Sequence, residues 1–216
     1  MAASLSRAAH RQRIEMLSGD RLHVSDGPID VIIKAWADAR AVRAAYDAAI
    51  ARFATTLDEL VSELSELRRP MAEQPRVATP IAQRMARACA PFDDRFITPM
   101  AAVAGSVADE LLAAMQGAAD LRRAYANNGG DIAIHIAPGE ELSIGLVTEL
   151  SRGMRGALDG AVRIDGVSGV GGVATSGWPG RSFSLGVADA VTVLARSAAE
   201  ADAAATMIAN AVNIDS

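Results

Sequence analysis

Five consecutive residues, Asn127-Asn128-Gly129-Gly130-Asp131, place the strongest local constraint on the fold of this chain. Two adjacent glycines allow positive φ angles, and they let a ligand approach the backbone because they carry no Cβ atom. The residues from Asp131 to Ile136 place an Ile at every second position, which is typical of a strand with one buried face. The segment therefore predicts a tight turn that leads into a half-buried strand. A turn that binds nothing is the plainer interpretation of these five residues alone.

The composition limits the kinds of protein that the chain can be. It is 50% hydrophobic but only 4% aromatic, which favours closely packed helices of small residues. The net charge of −5, without a basic stripe, argues against a nucleic-acid-binding protein. A lone cysteine, Cys89, excludes an internal disulfide and a Cys-based zinc site. With 216 residues we expect a single domain over residues 1–216, in which residues 1–13 form a disordered tail.

No segment of the sequence indicates a membrane or secreted protein. The N-terminus carries arginines but lacks the apolar stretch of a secretory signal, and no apolar run approaches the length of a membrane span. We therefore expect a soluble cytoplasmic protein whose partner is a small-molecule ligand, with no nucleic acid and no membrane. A homodimer remains open as an assembly.

The first half of the chain predicts a strand meander followed by helices. Residues 14–36 indicate three short strands, because Gly and Asp residues mark two turns between apolar runs. Residues 38–69 show helical periodicity, with a bend or a break expected near Thr55-Thr56 because the helix is long. Thr79-Pro80 predicts the start of a short helix. Ser106 and Asp109 then have the spacing of a capping box at the start of the next helix.

The second half predicts further strands and one last helix. Strands are expected at residues 142–147, 162–164 and 188–195. Residues 169–186 are rich in Gly and Ser, and they indicate either a flexible loop or a phosphate-binding cradle. Ser197 and Glu200 form a capping box for the last helix, whose buried stripe is expected to be Ala201, Ala204, Ala205, Ile208 and Val212.

Two polar residues on that last helix are candidate metal ligands. Asp202 and Thr206 lie four positions apart, so they share one face of the helix. A carboxylate and a hydroxyl at this spacing can donate two oxygens to a hard cation such as Mg²⁺. A line of small polar residues on a solvated helix face is the alternative interpretation.

Several segments resemble one protein family. They are Arg21-Leu22-His23, Asp26-Gly27-Pro28-Ile29-Asp30, residues 96–109, residues 127–132, and residues 174–178 continuing through 191–195. On these residues the chain resembles a short member of the ApbE-like superfamily, whose named members are FAD:protein FMN transferases. It is most similar to an uncharacterised branch of that superfamily. The resemblance implies an α+β fold of antiparallel sheets backed by helices, an ApbE-like (T-fold-like) architecture, and this agrees with the order of predicted elements.

The resemblance also implies which residues form a site. Its flavin-nucleotide turn corresponds to Asn127, Gly129, Gly130 and Asp131, and its last loop begins at Thr175, Ser176 and Gly177. Its Mg²⁺ ligands correspond to Asp202, Thr206 and a backbone carbonyl in the segment 102–105, for which we take Ala104. With their neighbours Asn128, Ser182 and Ser184, these residues make up the predicted cofactor and metal site.

Two departures from the family pattern bear on the activity. The transferases carry a His-x-x-Asp-Pro-x-Thr-Gly motif in a long insertion, whereas here Gly177 reaches the predicted strand at Ala188 without it. Gly105 or a neighbour stands where the transferases have a Lys. No catalytic residue is therefore assigned.

Three functions remain open at the level of the sequence. The first is binding of FAD or a related flavin with Mg²⁺, in a flavin transferase or a pyrophosphate-cleaving enzyme. The second keeps the cleft but takes another ligand, such as a pterin or a phosphorylated metabolite. The third is a scaffold without catalytic activity, in which the polar turns are purely structural.

Overall fold

A computed structural model describes residues 12–146, 160–178 and 185–213. Within these residues the protein is an α+β structure in which a large antiparallel sheet is backed by helices, as the sequence predicts. The strands are β1 (Arg13–Leu17), β2 (Arg21–Asp26), β3 (Ile29–Trp36), β4 (Arg123–Asn128), β5 (Asp131–Ile136), β6 (Glu141–Leu146), β7 (Gly160–Asp165), β8 (Gly172–Ser176) and β9 (Val191–Ala195). The helices are α1 (Ala39–Ser62), α2 (Leu64–Leu67), α3 (Pro80–Cys89), α4 (Val103–Ala118) and α5 (Ala198–Ala211).

The large sheet has seven strands in the order β1-β2-β3-β4-β5-β8-β9, and every neighbouring pair is antiparallel. One face carries α1 and α4, and the core between sheet and helices includes Val31 and Ile33 from β3 and Ala124 and Ala126 from β4. The small side chains of β4 let α4 lie close to the sheet, which suits a chain with few aromatic residues. The separate β6–β7 hairpin packs through Ile144 and other aliphatic residues against the β5 and β8 side chains of the opposite face.

The predicted meander of three strands is confirmed as β1 to β3, but the predicted tail is too long. Arg13 already belongs to β1, and the Gln12 side chain donates hydrogen bonds of 3.0 Å to Asp26 Oδ2 and to the Ala54 carbonyl. The first strand therefore starts at the end of the segment that the sequence assigned to a disordered tail. Residues 1–11 lie outside the described residues.

The long helical segment breaks at Glu63 and not near Thr55-Thr56, where a bend or a break was expected. The Thr56 hydroxyl is buried and donates a hydrogen bond to the Arg52 carbonyl, and α1 continues through this residue without interruption. Glu63 accepts hydrogen bonds from the backbone N–H groups of Ala78 and Thr79, at 2.6 and 2.8 Å. The break therefore coincides with a residue whose side chain anchors the segment leading into α3.

The capping box predicted at Ser106 and Asp109 is wrong. The helix α4 begins three residues earlier, at Val103, and Ser106 is buried inside it. The Asp109 carboxylate instead accepts hydrogen bonds of 3.0 and 2.9 Å from the backbone N–H groups of Ala198 and Ala199. Asp109 thus caps the first turn of α5, a helix that lies beside α4 in space but far along the chain.

The Gly/Ser-rich segment contains a strand that the sequence did not predict. Residues 172–176 form β8, which pairs with both β5 and β9 in the large sheet.

The predicted cap of α5 is confirmed, because Ser197 Oγ accepts a hydrogen bond from the Glu200 N–H. The predicted buried stripe is partly wrong: Ile208 and Val212 are exposed. In the part of the chain that the structure describes, no helix is both long and apolar enough to cross a membrane.

Candidate functional site

The turn between β4 and β5 is a two-residue hairpin loop. Asn128 pairs with Asp131 across it, and both intervening residues have positive φ, 67° for Gly129 and 115° for Gly130. Hairpin loops of this kind favour glycine because both central residues must adopt positive φ. The Asn127 side-chain oxygen accepts a 2.8 Å hydrogen bond from the Gly130 N–H. The predicted tight turn is confirmed, and the glycines serve the backbone conformation.

The buried side chain of Asn128 connects this turn to the beginning of α4. Its Nδ2 donates a hydrogen bond of 3.1 Å to the carbonyl oxygen of Ala104. Its Oδ1 lies 3.5 Å from the backbone nitrogen of Asp30 on the neighbouring strand. The contact fixes the end of β4 against the first turn of α4, so two of the predicted site residues, Asn128 and Ala104, meet.

Asp202 lies at the same place, from the side of α5. Its Oδ2 accepts a hydrogen bond of 2.9 Å from the Gly105 N–H, and the nearby Ala104 N–H also favours the charged form of this carboxylate and lowers its pKa. The two helices can approach because residue 105 is glycine: a Cβ atom there would lie 2.2 Å from the Ala198 carbonyl oxygen. The start of α4 thus presents backbone N–H groups to a carboxylate, as helix N-termini commonly do.

Asp131, at the start of β5, provides a second carboxylate near Asp202. The backbone N–H of Thr175 lies near the Asp131 carboxylate, where it favours the charged form and lowers the pKa. Burial, followed by the nearby charge of Asp202, nevertheless raises the pKa of Asp131 well above its usual range. Burial also raises the pKa of Asp202, against the two backbone N–H groups that favour the charged form. The charge of Asp202 therefore disfavours the charged form of Asp131, and the charge of Asp109 adds a smaller upward effect on the pKa of Asp202.

The remaining predicted site residues lie in β8, directly after it, and in α5. Thr175 and Gly177 flank the end of β8, where the Thr175 hydroxyl lies 2.9 Å from that of Thr192. Ser176 is buried within β8, and Thr206 is half-buried, one turn after Asp202 on α5. A Cβ atom on Gly177 would lie 2.1 Å from the Asp189 carbonyl, so this glycine allows the backbone before β9 to approach closely. Ser182 and Ser184 lie outside the described residues.

The groups at the site are suited to a hard cation. Asp131 and Asp202 offer carboxylate oxygens, and Thr206 and the Ala104 carbonyl are the other predicted oxygen donors. Hard cations such as Mg²⁺ take oxygen ligands. Within residues 12–146, 160–178 and 185–213, no group of three or more His, Cys, Asp or Glu side chains could hold a metal. A cation here would therefore use two carboxylates, with its other ligands from the backbone, water or a bound molecule.

The role of Asp131 as the carboxylate partner of Asp202 was missed at the level of the sequence. Asp131 was placed with the flavin-binding turn, because it directly follows the two glycines. No pattern in the neighbouring sequence relates Asp131 to α5. The two come together because β8 lies beside β5 in the sheet and α5 contacts both strands. The one available signal was its position as the first residue of an alternating strand, which places its side chain at the end of the sheet.

Comparison with known proteins identifies the family. A family model described as "AbpE bacteria" matches residues 13–216. The chain belongs to this family.

A UPF0280 protein of Methanopyrus kandleri is 37% identical over 163 residues, which cover 70% of this chain and 62% of that protein. A UPF0280 protein of Methanothrix thermoacetophila is 41% identical over 140 residues, 64% of this chain and 54% of that protein. A third, from Methanocaldococcus jannaschii, is 39% identical over 116 residues, 53% of this chain and 45% of that protein.

These matches correct the resemblance drawn from the sequence motifs. The assignment to the ApbE-like superfamily of FAD:protein FMN transferases is wrong, because the AbpE bacteria model and relatives named UPF0280 protein take its place. None of these relatives carries the name of a flavin transferase. The match spans between 45% and 62% of the length of these three relatives. The activity of the whole protein therefore does not follow from these matches.

Proposed function

We propose that this AbpE bacteria family member binds a phosphorylated small molecule together with a divalent cation, with Mg²⁺ as the candidate ion. The observation that supports this most strongly is the pair formed by Asp131 and Asp202, in which burial and the neighbouring charge raise the pKa of Asp131. No Lys, Arg or His among the described residues forms an ion pair with either carboxylate. Burying like charges without a counterion is costly. A bound divalent cation would supply the missing positive charge.

The small number of protein ligands favours a phosphorylated partner. Mg²⁺ in proteins is commonly held by one or two carboxylates, with substrate phosphates and water completing its six positions. Asp131 and Asp202 match that number, and Thr206 stands one turn away from Asp202. A ligand can approach beside the β4–β5 turn, since a Cβ atom on Gly130 would meet nothing within 4 Å. Phosphate oxygens would then complete the coordination and bring their own negative charge to the cation.

Three classes of ligand are candidates for this site. These are a flavin nucleotide such as FAD, a pterin, and another phosphorylated metabolite. In each case Asp131 and Asp202 would hold the cation, and the N–H groups of Ala104 and Gly105 would keep Asp202 in place. If a pyrophosphate is cleaved, the role of these residues is to hold positive charge at the leaving group. A scaffold without a ligand is the alternative outcome of the experiment.

Calorimetric titration and thermal unfolding of the purified chain test the proposal. Mg²⁺ is added alone and then with FAD, FMN, a pterin phosphate or inorganic pyrophosphate. A ligand at one hundred times its Kd stabilises the folded state by about 2.7 kcal/mol. We expect one phosphorylated ligand to stabilise the wild type only with Mg²⁺ present. Asp131→Asn and Asp202→Asn should lose this response, whereas Asp120→Asn, at an exposed position after α4, should keep it.

Two results would overturn the proposal. One is a wild-type chain whose unfolding temperature does not change with Mg²⁺ and any of the four ligands, which would favour the scaffold. The other is a Mg²⁺ response that survives in both Asp131→Asn and Asp202→Asn, since the cation would then bind elsewhere.

A further inference from the structure

The strand β1 forms one end of the large sheet and presents an apolar edge. Among the described residues no strand pairs with its outer side, because it is the first strand in the sheet order. Ile14 pairs with Val24 and Met16 pairs with Leu22, so both lie on the sheet face that carries the helices. Ile14 is 45% exposed and Met16 is 58% exposed. An exposed apolar edge strand is a template for pairing with another chain.

A groove lies between this edge and the helix α1. It encloses about 760 Å³, and its lining includes Ile14 and Met16 from β1 and Val42, Tyr46 and Ile50 from α1. The Tyr46 hydroxyl is satisfied within the chain, since it donates to the Asp20 carbonyl at 2.7 Å. The groove therefore offers an apolar surface beside a strand with open backbone groups. That combination fits an added strand whose alternate side chains enter the groove.

Two opposite charges on α1 line the same groove. Arg43 and Asp47 are exposed and lie one helical turn apart. Neither forms an ion pair within 4.0 Å with any other residue that the structure describes. With a two-fold axis beside this turn of α1, Arg43 of each copy would face Asp47 of the other. The surface is thus complementary in charge to a second copy of itself.

We propose that the groove between β1 and α1 is a self-association surface, and that its occupant is β1 of a second copy of this chain. The two β1 strands pair antiparallel about an axis at Glu15, so that Ile14 of each copy faces Met16 of the other. Such an interface is isologous, with the same patch used by both subunits. The two large sheets then continue into each other, and the apolar edge of each copy is covered.

The polar face of β1 is compatible with this arrangement. The two Glu15 side chains meet near the axis, on the face away from the helices. Each is already bound within its own chain, to His23 Nδ1 at 3.0 Å and to Arg13 at 3.2 Å. Because these contacts offset part of the negative charge, the approach of the two Glu15 side chains does not oppose the pairing strongly.

The oligomeric state of charge-swapped variants tests the proposal. Light scattering and sedimentation velocity should give a dimer for the wild type at about 100 μM, a concentration that reveals even a micromolar Kd. Arg43→Asp and Asp47→Arg should each weaken the dimer by roughly tenfold, because each places like charges across the axis. The double variant should return the Kd to near that of the wild type. Both residues are exposed, so the three variants should fold.

A second pair of variants tests the strand itself. Ile14→Lys should give a monomer, because it places a charge where the second copy would enter the groove. Val167→Lys, at a position that is 81% exposed after β7, should remain a dimer. A wild type that is monomeric at about 100 μM overturns the proposal. So does a dimer that Ile14→Lys and both single charge variants leave intact, or a double charge variant that fails to restore the dimer.

Discussion

The carboxylate of Asp202 accepts a hydrogen bond of 2.9 Å from the backbone N–H of Gly105, 97 positions earlier in the chain. The same glycine leaves room for the Ala198 carbonyl, which would lie 2.2 Å from a Cβ atom at position 105. One residue therefore allows α5 to approach α4 and also holds the carboxylate that α5 carries. The position of Asp202 depends on helix packing as much as on its own side chain.

Gly105→Ala should lower the free energy of unfolding. Overpacking costs typically about 1–3 kcal/mol, and here the clash is with backbone that cannot rotate away, so we expect the upper end. Gly117→Ala is the matched control in the same helix, because nothing lies within 4 Å of a Cβ atom there. That control should be stabilising, by roughly 0.5–1 kcal/mol. Urea unfolding measures both, and an equal response of the two variants would contradict the packing argument.

The carboxylate pair predicts an unusual dependence of stability on pH. A carboxyl whose pKa is higher in the folded than in the unfolded chain stabilises the fold fully below its unfolded pKa, ~3.9, and loses that contribution as the pH rises through its folded pKa. The pKa of Asp131 and that of Asp202 are both raised. Without divalent cations, wild-type stability should therefore fall relative to Asp131→Asn from about pH 4 upward to neutral pH. Denaturant midpoints across this range, with EDTA present, would measure the difference; parallel curves would contradict it.

The meander at the start of the chain could be predicted because its signals are local. Turn residues separate β1, β2 and β3, and each strand pairs with the next one along the chain. The β8 strand lacked such a signal. Its residues Gly172 to Ser176 are small or polar, and they pair with β5, far earlier in the chain. Gly172 is required there because a Cβ atom would lie 2.1 Å from the Ala198 nitrogen, a contact that composition cannot reveal.

The buried face of α5 shows why periodicity failed in an alanine-rich helix. Its buried residues include Ala199, Ala203 and Ala209, whereas Ile208 is 46% exposed. Larger residues normally mark the buried stripe of a helix, but here small ones do, because α5 lies close to both β8 and α4. Asp202 could be predicted as a polar residue on this helix. Its pairing with Asp131 could not, since it depends on the position of the helix in the fold.

Asp109→Ala should destabilise the protein substantially. The buried Asp109 carboxylate accepts hydrogen bonds from two backbone N–H groups at the start of α5, those of Ala198 and Ala199. Hydrogen bonds to a charged group contribute about 1.5–3 kcal/mol, and both N–H groups would lose their acceptor, so we expect a loss of about 3 kcal/mol. Asp93→Ala, at an exposed position, should change stability by less than about 0.5 kcal/mol. Equal losses in the two variants would show that Asp109 does not stabilise the start of α5.

Cys89 should report on unfolding, because the folded protein protects its thiol from reagents. It is the only cysteine, it is fully buried in α3, and its Sγ lies 3.4 Å from the Thr98 carbonyl. Burial, with a smaller effect from the charge of Asp202, raises the pKa of the Cys89 thiol to about 12. Since the thiolate is the reactive form, labelling by a disulfide reagent at pH 8 should be slow in the native state and fast in urea. Labelling should accelerate in Gly105→Ala and not in Gly117→Ala, because only the first destabilises the α4–α5 contact. Rapid labelling of the native wild type would mean that α3 opens without global unfolding.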